Sequence, residues 1–121
     1  MGNKIPIGEI NGFLLRIKQA FTQEQFRFEE RKKNIASLSR VGLKPSHIKE
    51  YILGLTYKDY LCGPEAERDT RFPPGDYFLF GFNIDGYEFQ IKIKIEDNSG
   101  GDFCVCISFH IAERPNHYPY K

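Results

Sequence analysis

A chain of 121 residues has room for one domain with its own core and too little for two of ordinary size. Hydrophobic residues make up 40% and aromatics 15%, dominated by 11 Phe and 7 Tyr with no Trp, which excludes a disordered chain. The net charge of +1 excludes a global field that would draw in a polyanion, so any nucleic-acid contact must come from a local basic patch.

Cys62, Cys104 and Cys106 are an odd set with no disulfide framework, which fits a reducing cytoplasm. The start, Met1 to Pro6, lacks the apolar core of a signal peptide, and Pro6 stands where an acylation signal wants Ser or Thr. No apolar run is long enough to span a bilayer. A soluble cytoplasmic protein with no membrane partner is expected.

Ile10, Phe13, Leu14, Ile17 and Phe21 recur at helical spacing and predict an amphipathic helix over about residues 8–20. Phe26 to Glu29 alternates briefly, as an edge strand or a helix entry would. Ile35, Leu38 and Val41 predict a second helix over about 30–41, with Gly42 as its stop. Pro45 suits the first turn of a third helix, whose stripe is Ile48, Tyr51, Ile52 and Leu55. Thr56 and Asp59 then have capping-box spacing for one more short turn.

Gly63, Pro64, Pro73, Pro74 and Gly75 among charges predict a surface loop over 62–76. Strands follow over Tyr77–Ile84, Tyr87–Ile95 and Phe103–Ile111, the first two joined by the hairpin signal Asp85-Gly86. That turn sets Phe78, Phe80 and Phe82 on one face with Phe89, Ile91 and Ile93. The second turn, Asp97 to Asp102, is looser. One domain over 1–121 is expected: 1–61 mainly helical, 62–76 loop, 77–112 antiparallel meander, 113–121 tail. The fold class is α+β, N-terminal helices packed on a C-terminal three- to four-stranded antiparallel sheet.

The last two strands alternate with period two, so each also has a polar row. One row is Glu88, Gln90, Lys92 and Lys94; the other is expected to hold Cys104, Cys106, Ser108 and His110. With a symmetric turn, Lys92 pairs near Cys106, Gln90 near Ser108 and Glu88 near His110. A plain solvated sheet face also has this pattern. Cys104, Cys106 and His110 would be soft zinc ligands, but alternate positions on one strand form a line and do not converge. Both cysteines are read as small buried hydrophobes, and no metal or other cofactor is expected.

Leu53-Gly54-Leu55, Tyr57-Lys58-Asp59-Tyr60, Cys62-Gly63-Pro64, Phe80-Gly81 and Glu88 to Ile93 together resemble the MqsR-like toxins of bacterial type II toxin–antitoxin systems. The ending is the most specific part: Cys106 to Pro115 (Cys-Ile-Ser-Phe-His-Ile-Ala-Glu-Arg-Pro), then Tyr118-Pro119-Tyr120-Lys121. The resemblance covers most of residues 30–121. It implies a RelE-like fold and a metal-independent endoribonuclease, an mRNA interferase that can act without the ribosome. It also implies a cognate antitoxin with a zinc-finger or helix-turn-helix domain. Better-studied members carry tyrosine where this chain has Gln90, lysine where it has His110, and another lysine near Cys62.

Metal-free RNA cleavage needs a base for the 2′-hydroxyl, an acid for the 5′-oxygen and positive charge at the phosphorane. His110 is the candidate acid or base, since imidazole titrates near neutrality. Glu88 would orient it, Lys92 would stabilise the phosphate, and Gln90 completes the catalytic set. Lys94 and Arg71 are candidate phosphate clamps, while Tyr77, Tyr118 and Tyr120 could stack on unpaired bases. Arg71 as a plain loop charge and the tail tyrosines as anchors remain open. The alternative function is a catalytically degenerate relative that binds RNA or protein through the same face. The near-neutral charge favours that alternative, and the specific ending favours the nuclease.

Overall fold

The computed structural model describes residues 4–98 and 100–121. Met1 to Asn3, part of the start read for a signal peptide, and Ser99 of the second turn lie outside the described residues. Helix α1 spans Ile7–Thr22, strand β1 Phe26–Phe28 and helix α2 Lys32–Arg40. A 3-10 turn at Pro45–His47 runs into helix α3, Ile48–Leu53, and a second at Tyr57–Asp59 leads into β2, Tyr60–Ala66. Strands β3 (Gly75–Ile84), β4 (Tyr87–Asn98) and β5 (Gly101–Ile111) complete an α+β fold with sheet order β1-β5-β4-β3-β2. Among the described residues no helix is long and apolar enough to cross a membrane.

Local chemistry explains most of the boundaries. Thr56 Oγ1 accepts the Lys58 N–H and Asp59 Oδ2 accepts the Thr56 N–H at 2.9 Å, the reciprocal cap its spacing predicts. Asp85 and Gly86 both take positive φ, so the tight β3–β4 turn twists with its strands and pairs Ile84 with Tyr87. The register that follows sets Phe78 opposite Ile93, Phe80 opposite Ile91 and Phe82 opposite Phe89. The apolar stripe of α1 lies on this row, with the Phe13 and Phe78 rings 3.9 Å apart between centroids. Burying each such side chain is worth about 1.5–3 kcal/mol.

Two expectations about the sheet are corrected. It has five strands and is mixed, because β1 runs parallel to β5, with Phe26 opposite Cys104 and Phe28 opposite Cys106. The predicted loop over 62–76 begins as a strand: β2 pairs with β3 through an irregular register, and the true loop is 67–74. Tyr60 drives this, being wholly buried among aromatic rings, with its hydroxyl donating to the Gly63 carbonyl at 2.7 Å.

A bulge in β5 decides which residues face the site. Lys92 pairs with Ser108, but its neighbour Ile93 pairs with Cys106, leaving Ile107 as an extra residue. The alternation therefore changes phase there. Cys104 and Cys106 turn into the core, both fully buried, and do not join the polar row. Cross-strand partners also move by two from the symmetric expectation: Gln90 faces His110, Lys92 faces Ser108, and Glu88 faces neither.

Candidate functional site

The sheet face away from α1 is covered at both ends and open in the middle. At one end the 67–74 loop closes over it. Lys94 is 2% exposed there, its Nζ donating to Glu67 at 3.1 Å and to the Pro73 carbonyl, with Glu96 at 3.4 Å. The Lys94 hydrogen bond holds the Glu67 carboxyl below its ordinary range. Alternation put Lys94 on the polar face expected to meet substrate, and the loop buries it there. Arg71 lies within the same loop, gripping Asp69 at 2.7 Å beside Phe72. Of these two candidate phosphate clamps, Lys94 is tied to the loop, while Arg71 stays exposed and pairs with Asp69.

At the other end the tail folds back over β4. Glu88 accepts the Asn116 backbone N–H at 2.7 Å and the Tyr118 hydroxyl at 3.3 Å. Asn116 Nδ2 donates to the Phe89 carbonyl at 2.9 Å, and Gln90 Nε2 reaches Asn116 Oδ1 at 3.4 Å. Burial, ahead of its polar neighbours, raises the Tyr118 pKa above that of a free phenol. Gly81 lies directly beneath: a Cβ there would strike Asn116 Nδ2 and come within 3.0 Å of both the Tyr118 hydroxyl and the Phe89 carbonyl. Only glycine admits the tail at this distance. Tyr120 donates to the Ile5 carbonyl, between the rings of Tyr57 and Tyr60 and under the Lys4 ammonium. Glu88 thus binds the tail and does not pair with His110, and both tail tyrosines are engaged as anchors.

Between tail and sheet lies a cleft of about 690 Å³. His110 and Gln90, directly opposed across β4 and β5, form its floor, with Leu79 beside them. Cys62 comes from β2, Lys4 from the N-terminal segment, and Glu113, Arg114 and His117 from the tail. The His110 Nδ1 lies 3.1 Å from the Ile111 carbonyl. A carbonyl only accepts, so Nδ1 carries a proton, and in the neutral ring Nε2 carries the lone pair. Among the described residues Nε2 has no hydrogen-bond partner. Burial, with Glu65 second, pushes the Cys62 thiol up, and burial pushes Cys104 to about 12.

Lys92, two residues from Gln90 and so about 7 Å further along β4, lines a separate hollow of about 170 Å³ with Arg27 and Arg31. Its ammonium sits 4.0 Å from the centre of the Tyr77 ring, whose hydroxyl donates to Glu65 at 2.8 Å. That hydrogen bond raises the Tyr77 pKa. Lys92 and Tyr77 therefore flank the cleft on the open sheet without lining it.

Sequence reasoning missed Lys4, Arg114, Asn116 and His117, because no periodicity says where a tail returns. It also missed two side chains that hold His110 in place. Asn34 of α2 donates to the Glu29 and Ile107 carbonyls at 2.8 and 3.0 Å, and its Oδ1 accepts the Phe109 N–H. Ser37, one turn on, accepts the Ile111 N–H at 2.9 Å. Where β1 ends, α2 supplies the missing partners of β5. Among the described residues no set of three His, Cys, Asp or Glu side chains is placed to hold a metal ion. Compared with known protein families, curated proteins and solved structures, the chain finds no match.

Proposed function

We propose that this chain is a metal-independent mRNA endoribonuclease, the MqsR-like and RelE-like toxin of a type II toxin–antitoxin pair, acting in the cytoplasm. The observation that carries the reading is His110, with Nδ1 anchored and Nε2 free, facing Gln90 on the floor of a cleft rimmed by cations. Nε2 takes the proton of a 2′-hydroxyl, the 2′-oxygen attacks phosphorus, and the bond to the 5′-oxygen breaks. The products are a 2′,3′-cyclic phosphate and a 5′-hydroxyl. Arg114 and Lys4 offset the charge that builds on the phosphorane, and Lys92 with Tyr77 takes the adjoining nucleotide on the open sheet. Unpaired mRNA, read without the ribosome, is the substrate that fits a stacking and cationic surface. The partner is an antitoxin of zinc-finger or helix-turn-helix type.

A specific observation favours a second reading. Glu88 is consumed by the tail, so among the described residues no carboxylate is hydrogen-bonded to His110. A chain that only binds RNA or protein through the cleft would look the same.

Inducible expression of the wild type and of His110→Ala, with growth followed and messenger RNA 5′ ends mapped, separates the two. Growth arrest with discrete new ends, lost in folded His110→Ala, supports the nuclease. Soluble wild-type protein with neither arrest nor new ends supports the binding module.

A further inference from the structure

We infer that His117 is the partner of His110 in an acid–base pair, the group that protonates the departing 5′-oxygen. This rests on the ribonuclease reading above. That reading supplies a base and positive charge but leaves an alkoxide to depart without a proton, and an alkoxide is a poor leaving group. The acid must line the same cleft as His110 and titrate near neutral pH.

The groups that face this cleft narrow the choice. A guanidinium such as that of Arg114 is not a proton donor, and the Lys4 ammonium is held over the Tyr120 ring. Burial pushes the Cys62 thiol up. Glu113 is engaged by Lys33 at 3.2 Å. His117 is the remaining titratable side chain that lines the cleft beside His110, and imidazole is the ring suited to this task.

Position supports the same residue. His117 sits between two residues that are both tied to β4: Asn116 through Glu88, Phe89 and Gln90, and Tyr118 through Glu88. The gap at Gly81 lets this segment settle against the strand that carries Gln90. His110 from β5 and His117 from the tail thus line one cleft of about 690 Å³. The proton of the 2′-hydroxyl goes to His110 Nε2, and the 2′-oxygen to phosphorus bond forms. The phosphorus to 5′-oxygen bond breaks, and the proton of cationic His117 passes to the 5′-oxygen. Solvent then restores both imidazoles.

The test uses the purified full chain and two RNAs of the same mapped cleavage sequence. One is natural; in the other, sulfur replaces the scissile 5′-oxygen, and the thiolate leaves without a proton. His117→Ala should lose roughly 100-fold or more on natural RNA, with the loss at least about tenfold smaller on the sulfur substrate. Its rate on natural RNA should also lose the fall at alkaline pH. His110→Ala should fail on both substrates. Equal loss on both by His117→Ala, or no loss, overturns the assignment while leaving the nuclease standing. A folded wild type that cuts no RNA sinks the nuclease, and His117 as its acid with it. His117 is exposed, so unchanged circular dichroism is expected of the variant.

Discussion

The Oδ1 of Asn34 accepts the backbone N–H of Phe109 at 3.1 Å, across 75 residues of sequence. With Nδ2 on Glu29 and Ile107, one amide satisfies three backbone groups around the β5 bulge. Asn34 is 1% exposed, so water cannot replace it. Asn34→Ala should lower stability by about 1–3 kcal/mol by leaving buried polar groups unpaired. It should also loosen the residues on either side of His110. Urea unfolding measures the first effect and amide exchange at Phe109 and Ile111 the second. An unchanged midpoint would show that the bulge holds without Asn34.

Gly81→Ala tests the tail. The added methyl strikes Asn116 and crowds Tyr118, so either the tail lifts or the strand strains, at about 1–3 kcal/mol. Protease sensitivity between Glu113 and Lys121 should rise, and on the proposed nuclease reading RNA cleavage should fall with it. A variant whose tail stays protected would mean the sheet absorbs the methyl.

Removing the Lys94 ammonium strands Glu96, whose side chain is 7% exposed. Lys94→Met alone should be destabilised by about 3–5 kcal/mol, as buried pairs are when one partner goes. Lys94→Met with Glu96→Leu should recover most of that loss, because the more deeply buried carboxylate goes with the ammonium and only the more exposed Glu67 loses its partner. Chemical denaturation of the two variants gives the comparison, and equal midpoints would contradict it.

Arg16 holds the Asp102 carboxylate through two hydrogen bonds of 2.7 and 2.8 Å, which keep its pKa below the ordinary value. A carboxyl whose folded pKa is depressed stabilises the fold above its unfolded pKa, near 4. That contribution disappears as pH falls through the lower folded value. Both side chains are partly exposed, so the pair is worth at most about 1 kcal/mol. Urea midpoints taken from pH 7 down to pH 2 should show the loss in the wild type. Asp102→Asn should start lower at pH 7 and decline less steeply. Parallel curves would rule the pair out as an acid-sensitive element.

What the sequence made legible was local. Asp85-Gly86 set the β3–β4 register, and the Thr56 and Asp59 spacing foretold a cap that forms as read. Period two placed Gln90 and His110 on the same face, where they oppose each other. The failures share one cause: each depends on a partner far along the chain. Lys92 and Lys94 are indistinguishable by alternation, and only the 67–74 loop buries one of them. The bulge that returns Cys104 and Cys106 to the core is recorded in Asn34, a residue unremarkable in its own helix. Glycine and proline concealed β2, whose pairing depends on the burial of Tyr60.

The bond from Tyr120 to the Ile5 carbonyl joins residues 115 apart in sequence. The β3–β4 hairpin closes over two residues and needs neither end of the chain. Loop closure over the longer span is entropically harder, and contacts of such separation form late. The tail is therefore expected to dock after that hairpin has formed. A hairpin formed ahead of the tail still lacks the wall that carries His117. On the proposed nuclease reading, cleavage should then appear after the core signal in a refolding experiment, with a lag equal to the docking time of the tail.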